Sequence, residues 1–416
     1  MTVAVHRPPA PPAGGRPPGR RRWRVLLGAV TAVAVAGAAA GVAVPRWLHR
    51  GETRVCAGDA LQARALDDLA AFAGWLQRNQ VPGYVGEVGW PGGQPWQQVA
   101  TTWYETADAI GLPVTAWAAA SWPAGYSMAV YRRSAGSTAL DTAGPQSAVV
   151  RDHPSTKGYR RGVVLAGGSF GASDSNPQYS SANPGRYGYD YSYENSAGYA
   201  YLADQGIRLV RLTLSWERVQ RTPGGPLDGT ELNRLRTALG LAGRNGIAVV
   251  LDLHGYGKYA SSRPLVLGTS GLPVSRLADV WSKLASATRD EPAVVGYDLL
   301  NEPITLAARG AGGARLWEQA SQAAVDAIRA TGSRQTIAVT GYGQTGPAHL
   351  GQLHPRAWID DPAHHTVYET HAYFDHDSSG HYAASYATEL GRLPQVGRTC
   401  RVLHDLTPAT PVFAAS

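Results

Sequence analysis

Two carboxylates in this 416-residue chain stand where an apolar run ends, a place from which a side chain can reach a reactant. Glu87 lies in the glycine-bounded stretch YVGEVGW, and Glu302 lies in YDLLNEP, far along the chain. Two carboxyl groups held close together can divide a reaction between a proton donor and a nucleophile or base. The fold must therefore bring together two strand ends that are distant in sequence.

The elements that position them alternate between strands and helices. Apolar residues at Leu66, Leu69, Phe72, Ala73 and Leu76 have helical spacing and predict a helix over 61–80. Helices are also predicted over 97–111, 195–206, 231–246, 276–288 and 316–332. The predicted strands are 83–90, 112–122, 161–170, 207–216, 247–257, 293–303, 335–343 and 365–375.

Two of these strands precede residue 127 and six follow residue 160, so the count is that of an α/β (β/α)8 TIM barrel. Parallel barrels place their active sites at the carboxyl ends of the strands. Polar and aromatic residues end the predicted strands in this chain: Glu87, Trp117, His254, Asn301, Glu302, His371 and Tyr373. One rim of the barrel is therefore the predicted site.

The charge of the chain is unevenly distributed. The formal net charge is +7, but residues 1–50 hold eight arginines, no lysine and no acid, which leaves 30 basic and 31 acidic side chains elsewhere. Nucleic acid is therefore not an expected partner. Residues 1–24 form a Pro/Arg-rich arm, interpreted as cytoplasmic, and the twenty uncharged residues 25–44 predict a transmembrane anchor or a cleaved export signal.

The rest of the chain is then expected outside the cell, anchored at the membrane or secreted. We interpret 45–60 as a linker, 61–126 as two barrel strands, 127–160 as a connection, 161–400 as six barrel strands and 401–416 as a tail. Cys56 and Cys400 are a disulfide candidate in an exported protein, although two unpaired thiols are the alternative. No glycine-rich phosphate loop or metal-ligand spacing is present, so no cofactor and no metal are expected.

Six motifs resemble the glycoside hydrolase family 5 cellulases, over roughly residues 60–130 and 160–385: VRLTLSWERVQ, VVLDLHGYGKY, YDLLNEP, YETHAYFDHDSSG, YVGEVGW and TAWAAASW. In that family the Asn-Glu-Pro glutamate ends the fourth strand, the glycine-bounded glutamate ends the seventh, and a tryptophan follows on the eighth. The resemblance therefore implies a circularly permuted barrel, in which strands seven and eight precede strands one to six. Cys56 and Cys400 would then flank the new chain ends.

The resemblance also implies residue roles. Glu87 corresponds to the nucleophile of a retaining reaction and Glu302 to the acid and base, with the charge of Glu87 holding a proton on Glu302. Supporting or substrate-binding roles are implied for Arg211, His254, Asn301, His371, Tyr373 and Trp117, and Trp122 and Trp216 are weaker candidates for neighbouring sugar subsites. The expected substrate and partner is a β-1,4-glucan or a related polysaccharide, which the enzyme would cut at internal bonds. The protein is expected to be a monomer. Gly255 stands where family members often carry an asparagine, a difference that bears on substrate preference.

Two alternatives remain open. A transglycosylase would use the same two glutamates and pass the sugar to another sugar. A truncated barrel beginning near residue 160 would lack the nucleophile, and the protein would then be a catalytically inactive carbohydrate-binding surface protein.

Overall fold

The computed structural model describes residues 52–170, 179–343, 346–394, 400–406 and 412–413. The arm predicted over 1–24 and the apolar segment over 25–44 lie outside these ranges. Among the helices in the described ranges, none combines the length and the apolar character needed to cross a bilayer.

Eight parallel strands form a closed barrel, which confirms the predicted fold class. Each barrel strand pairs with the next barrel strand along the chain, and the first also pairs with the eighth, which closes the ring. The barrel strands are β2 (Gly83–Gly89), β3 (Val114–Ala120), β6 (Arg161–Leu165), β7 (Leu209–Leu214), β8 (Ala248–Leu253), β11 (Val294–Asp298), β12 (Thr336–Thr340) and β13 (Thr366–Tyr373). Because β2 and β3 complete the ring, the truncated barrel is wrong.

Helices cover the outside of the barrel, and the six predicted helices are present. The helices are α1 (Ala60–Asn79), α2 (Gln94–Ala109), α3 (Gln146–Asp152), α4 (Ser196–Asp204), α5 (Trp216–Val219), α6 (Gly229–Arg244), α7 (Ser275–Thr288), α8 (Gly310–Ala330), α9 (Pro347–Leu353) and α10 (Tyr386–Gly391). In α1, the Asp59 side chain caps the amino end by accepting from the Gln62 amide at 3.0 Å. Its predicted apolar face is buried against the core.

Two segments interpreted only as a linker and a tail contain strands that join the chain ends of the barrel. β1 (Glu52–Cys56) and β14 (Cys400–His404) pair antiparallel, with Glu52 opposite His404 and Cys56 opposite Cys400. A disulfide links Cys56 to Cys400, so the predicted pairing is confirmed. We call this paired and cross-linked unit the terminal clasp. The connection predicted over 127–160 contains β4 (Tyr131–Arg132), β5 (Thr142–Ala143) and α3, and a short hairpin of β9 (Lys258–Tyr259) and β10 (Leu265–Val266) follows β8.

The amino ends of the strands are closed by an apolar floor. Barrel residues that line this floor are Tyr84, Leu209, Val250, Val295, Ala338 and Val367. Val412 and Phe413 pack among them, and the Phe413 ring lies edge-on to Tyr84 with 4.8 Å between centroids. Water is thereby excluded from one end of the barrel, and the opposite rim is left to hold a site.

Candidate active site

Two glycines of β2, one directly before Glu87 and one two positions after it, leave room for side chains of a neighbouring strand. A Cβ atom at Gly86 would lie 1.5 Å from Oε1 of Glu369, and one at Gly89 would lie 2.6 Å from Cε1 of Tyr373. Both neighbours belong to β13, which pairs with β2. The two glycines of YVGEVGW thus let β13 side chains approach the strand on either side of the carboxylate.

Arg211 on β7 lies at the centre of the site and is fully buried. Its Nη1 donates to Oε1 of Glu87 at 2.8 Å, and its Nη2 donates to Oδ1 of Asn301 at 2.9 Å. The hydroxyl of Tyr373 donates to the other oxygen of Glu87 at 2.7 Å. Each Glu87 oxygen therefore has a fixed donor, and the Asn301 amide is oriented with its oxygen toward Arg211 and its nitrogen as the group able to donate.

Glu302 follows β11 and meets Glu87 across His371. The Glu302 backbone has a φ of 38°, a left-handed conformation that is uncommon outside glycine. Nδ1 of His371 lies 2.9 Å from Oε1 of Glu302 and 3.5 Å from Oε2 of Glu87. Ligating atoms of these three side chains all lie within 4.8 Å of one another. The two carboxylates predicted to meet therefore do so.

The protonation pattern of this cluster differs from the expected one. Burial alone would lower the pKa of the His371 imidazole, but the charge of Glu87 and the hydrogen bond to Glu302 raise that pKa well above its usual value. Burial alone would raise the pKa of Glu302, but the hydrogen bond from His371 and its positive charge lower that pKa. These pKa directions favour a proton on His371 over one on Glu302, in contrast to the expectation that the charge of Glu87 holds a proton on Glu302.

An aromatic wall borders the carboxylates. Trp117, on β3, stacks on the His254 ring with centroids 5.8 Å apart, and its Nε1 donates to the Tyr126 hydroxyl at 2.7 Å. Trp122 stacks on the Tyr126 ring at 4.4 Å. Phe170 packs edge-on against Trp117. These rings form one aromatic cluster, and Tyr373, whose hydroxyl contacts Glu87, packs against it.

The structure does not support the predicted role of Trp216 as a sugar subsite. Its side chain has no exposed surface, its Nε1 donates to Oε1 of Gln220 at 3.1 Å, and its ring packs edge-on against Tyr259. Trp216 therefore belongs to the core and cannot offer a ring face to a sugar. The other predicted residues all lie at the carboxyl-end rim: Glu87, Glu302, Arg211, His254, Asn301, His371, Tyr373, Trp117 and Trp122.

Three buried acids near Arg211 were not predicted from the sequence. Asp252 accepts from His254 Nδ1 at 2.7 Å, Asp298 accepts from Arg211 Nε at 2.6 Å, and Glu369 lies 3.4 Å from His371 Nε2. Asp252 and Glu369 each precede a site histidine by two positions, which places acid and histidine on the same face of a strand. An acid two residues before a strand-end histidine is the signal that could have found them.

The cluster of Glu87, Glu302 and His371 is close enough to hold a metal ion, and no other group of three in the described ranges meets that distance test. Because the neighbouring carboxylates raise the pKa of His371, a metal ion at this place would have to displace a proton from the imidazole. The arrangement therefore favours proton transfer between its members over metal binding.

Comparison with known proteins identifies the family of the chain. Residues 171–399 match the cellulase family, glycosyl hydrolase family 5. The sequence is 30% identical over 241 residues to an endoglucanase of Neurospora crassa, covering 57% of this chain and 56% of that protein. It is 27% identical over 233 residues to endo-beta-1,4-glucanase B of Aspergillus niger, covering 54% of this chain and 64% of the relative.

Among solved structures, Pseudomonas stutzeri endoglucanase Cel5A in complex with cellobiose is 37% identical, covers 53% of this chain and 62% of its own, and has a TM-score of 0.47. The chain thus spans less than two thirds of the length of these three proteins. The family match extends over more than half of the chain and includes Arg211, His254 and His371. The chain therefore belongs to the cellulase family of glycoside hydrolases, glycosyl hydrolase family 5.

Proposed function

We propose that this glycoside hydrolase cleaves internal β-1,4-glucosidic bonds of a cellulose-like polysaccharide with retention of configuration. The observation that carries the proposal is the approach of Glu87 and Glu302 to within 4.8 Å. Retaining enzymes hold their two carboxyl groups about 5 to 5.5 Å apart, whereas inverting enzymes leave room for a water molecule between them. The short separation therefore favours a covalent intermediate.

In the first step Glu87 attacks the anomeric carbon and Glu302 protonates the leaving oxygen. In the second step Glu302 removes a proton from water, and that water displaces Glu87. The hydrogen bonds from Arg211 and Tyr373 aim the Glu87 oxygens. The amide nitrogen of Asn301 is available to donate to a sugar hydroxyl next to the reacting carbon.

The aromatic wall supports the choice of a sugar substrate. Trp117 is 7% exposed and Trp122 is 8% exposed, so only a small part of each residue is available for contact with a ligand. A pyranose ring presents axial C–H groups that pack on such a face, while its hydroxyls reach polar groups at the edge. The relatives named endo-beta-1,4-glucanase favour glucan over mannan as the polymer.

The test uses residues 51–416 and two variants, Glu87→Gln and Glu302→Gln. Reducing sugar is measured on carboxymethyl cellulose, mixed-linkage glucan and mannan, and the anomer formed first is read by proton NMR. Both variants should lose roughly a thousandfold in rate on unmodified polymer while keeping the circular dichroism spectrum of the parent. An active Glu87→Gln variant, or an inverted first product, would contradict the two-glutamate mechanism.

Transglycosylation uses the same intermediate, so the acceptor decides the outcome. The product distribution from cellopentaose, with and without added cellobiose, separates the two reactions. Products longer than cellopentaose that increase with cellobiose would identify transfer, and their absence would leave hydrolysis.

We also propose that the barrel is circularly permuted relative to the usual chain of the family. The proposal is supported by the order of the motifs. The strands with Glu87 and Trp117 are the first two barrel strands, and β11, which precedes Glu302, is the sixth of the eight. A closed barrel keeps the same neighbours wherever the chain begins. Moving the chain ends to the terminal clasp would therefore leave the site intact.

A rewired chain tests this proposal. Glu52 lies opposite His404 in the clasp, so a two-residue turn can join His404 to Glu52. The rewired chain begins at Thr156, runs to His404, continues from Glu52 and ends at His153. Its matched control keeps the present order and ends at His404. Comparable folding and activity of the two chains are expected, and an unfolded rewired chain beside a folded control would contradict the proposal.

We propose an extracytoplasmic location, because a disulfide persists in oxidising compartments. Residues 25–44 would act as a membrane anchor or be removed during export. Fractionation of cells into membrane and medium, with the amino-terminal sequence of the mature protein, distinguishes these outcomes. Sedimentation of residues 51–416 tests whether the protein is the expected monomer.

A further inference from the structure

Arg211 and several buried acids form a charged cluster beside the two reacting glutamates, and three of these acids take no direct part in the double displacement. Arg211 faces four buried carboxyl groups: its Nη1 contacts Glu87 and Asp252, and its Nε lies 2.6 Å from Asp298 and 3.5 Å from Glu369. One guanidinium cannot neutralise four buried carboxylates, so the cluster must bind protons. The position of those protons determines what the site can donate.

Asp298 carries one of them. Burial raises the pKa of Asp298 well above its usual value, and neighbouring Glu369 raises it further. Asp298 and Glu369 thus form an acid pair, in which the neighbouring Glu369 carboxylate favours a proton on Asp298. The Glu369 carboxylate is fully buried, and Gly86 provides the space for it.

His371 stands between this acid pair and the reacting glutamates. Its Nε2 faces Oε1 of Glu369 at 3.4 Å, and its Nδ1 faces Oε1 of Glu302 at 2.9 Å. Within the described ranges, Nε2 has no hydrogen-bond partner of ordinary length, so this contact is the one available to it. The titratable and charged groups around His371 are Glu87 from β2, Arg211 from β7, Asp252 from β8, His254 and Tyr256 after β8, Asp298 from β11, Glu302 after β11, and Glu369 and Tyr373 from β13.

We propose that Glu369 is a positioning residue for proton delivery: its buried carboxylate keeps a proton on His371, and His371 supplies that proton to Glu302 when the glycosidic oxygen must be protonated. This inference rests on the proposed function, since it concerns the same two glutamates. It differs from a scheme in which Glu302 already holds its proton in the free enzyme.

The proton balance of the cycle is complete. During glycosylation, the proton on Nδ1 of His371 passes to Oε1 of Glu302, and Glu302 gives a proton to the leaving oxygen as the C–O bond breaks and Glu87 bonds to carbon. Glu302 is then a carboxylate and His371 is neutral. During deglycosylation, Glu302 takes a proton from water as the new C–O bond forms, and that proton returns to His371. No other reactant is required.

The experiment compares two substrates that differ in their need for acid. 2,4-Dinitrophenyl β-cellobioside has a leaving group that departs without protonation, whereas cellopentaose does not. For Glu369→Gln, kcat/KM on cellopentaose should fall about 10- to 100-fold, with less than about a threefold change on the activated substrate. The alkaline limb of the cellopentaose profile should move down by about one pH unit, because His371 loses a neighbouring charge.

The matched control is Glu318→Gln. Glu318 accepts from His354 Nδ1 at 2.8 Å, so this is a second carboxylate–histidine pair, and it lies away from the site. The control should leave kcat/KM on both substrates and the pH profile unchanged. An equal loss on both substrates for Glu369→Gln would show a purely structural role and overturn the proposal. An inactive parent enzyme would instead overturn the proposed function.

A measurement on the parent enzyme covers the case in which Glu369→Gln fails to fold. The chain has 12 histidines, and the imidazole NMR signal of His371 is identified by its loss in His371→Asn. The signal should remain that of an imidazolium at pH 8. Titration of His371 near its ordinary value, about 6.5, would overturn the proposal.

Discussion

At the scale of single residues, the glycines beside Glu87 have a structural role that can be measured. At Gly86 on β2, the Glu369 carboxylate of β13 occupies the space that a side chain would need. Any side chain at position 86 must displace a buried charge that faces both Arg211 and His371.

We predict that Gly86→Ala lowers the free energy of unfolding by at least about 2 kcal/mol and reduces activity further than the stability loss explains. Urea unfolding and kcat/KM on cellopentaose measure the two effects. Gly229→Ala is the control, since an added Cβ there meets nothing within 4 Å and Gly229 lies in the first turn of α6. Equal stability of the two variants would mean that the Glu369 side chain moves aside without cost.

The residues of the site were predictable to different degrees, for physical reasons. Glu87 and His371 lie near the carboxyl ends of strands, and Glu302 and His254 follow strands. Because parallel strand ends meet at one rim, topology alone brings these residues together. Trp216 also follows a strand, but burial of a large aromatic ring depends on packing by distant segments, which no local pattern contains. The pKa of Glu302 could not be inferred from the sequence, because it depends on the distance to His371, a contact between two separate segments of the chain.

At the scale of elements, one buried carboxylate ties a helix end to the start of a barrel strand. Asp361 lies in the loop before β13 and binds Arg329, in the last turn of α8, through two hydrogen bonds of 2.8 and 2.9 Å. It also accepts from the His365 amide and the Thr366 hydroxyl. The strand that carries His371 and Tyr373 is therefore anchored at its amino end by an ion pair.

This anchor should make stability depend on pH in a defined window. Although burial alone would raise it, the hydrogen bond and charge of Arg329 lower the pKa of Asp361 to about 2. A depressed pKa contributes stability above the unfolded value, near 3.9, and that stability is lost as the pH falls toward about 2. We predict that Asp361→Asn costs about 3 kcal/mol at pH 7, and that the difference from the parent shrinks steadily below pH 4.

Urea unfolding at pH 7, 4 and 3 checks the prediction, with Asp360→Asn as a surface control next to it in sequence. Asp360 is exposed, so its variant should match the parent at every pH. A difference for Asp361→Asn that stays constant from pH 7 to pH 3 would mean that the carboxylate charge contributes nothing. The elements joined here were predictable from apolar periodicity, but their anchor was not, because an acid in a polar loop looks like a solvated one.

At the scale of the whole molecule, both ends of the described chain are fixed to the barrel in ways that the sequence only partly revealed. The disulfide was predictable because the chain has two cysteines and an export-like segment. The strands that surround it were not, since five-residue strands at chain ends carry little periodic signal. Phe413 was unpredictable as a floor residue, because nothing local distinguishes a buried tail residue from an exposed one.

The terminal clasp should therefore contribute much of the stability of the barrel. A cross-link between residues separated by 344 positions removes many conformations from the unfolded chain, an effect that reaches about 2 to 5 kcal/mol. We predict that the double variant Cys56→Ala and Cys400→Ala loses stability in this range and keeps kcat/KM on cellopentaose, because the hydrogen bonds that hold Glu87 and Glu302 come from Arg211, Tyr373 and His371 and not from the clasp. The chain has only these two cysteines, so a reducing agent has no other disulfide to open. Dithiothreitol should accordingly lower the unfolding midpoint of the parent to that of the double variant and leave the variant unchanged. A parent enzyme whose midpoint is insensitive to reduction would show that β1, β14 and the buried Phe413 hold the chain ends without the covalent bond.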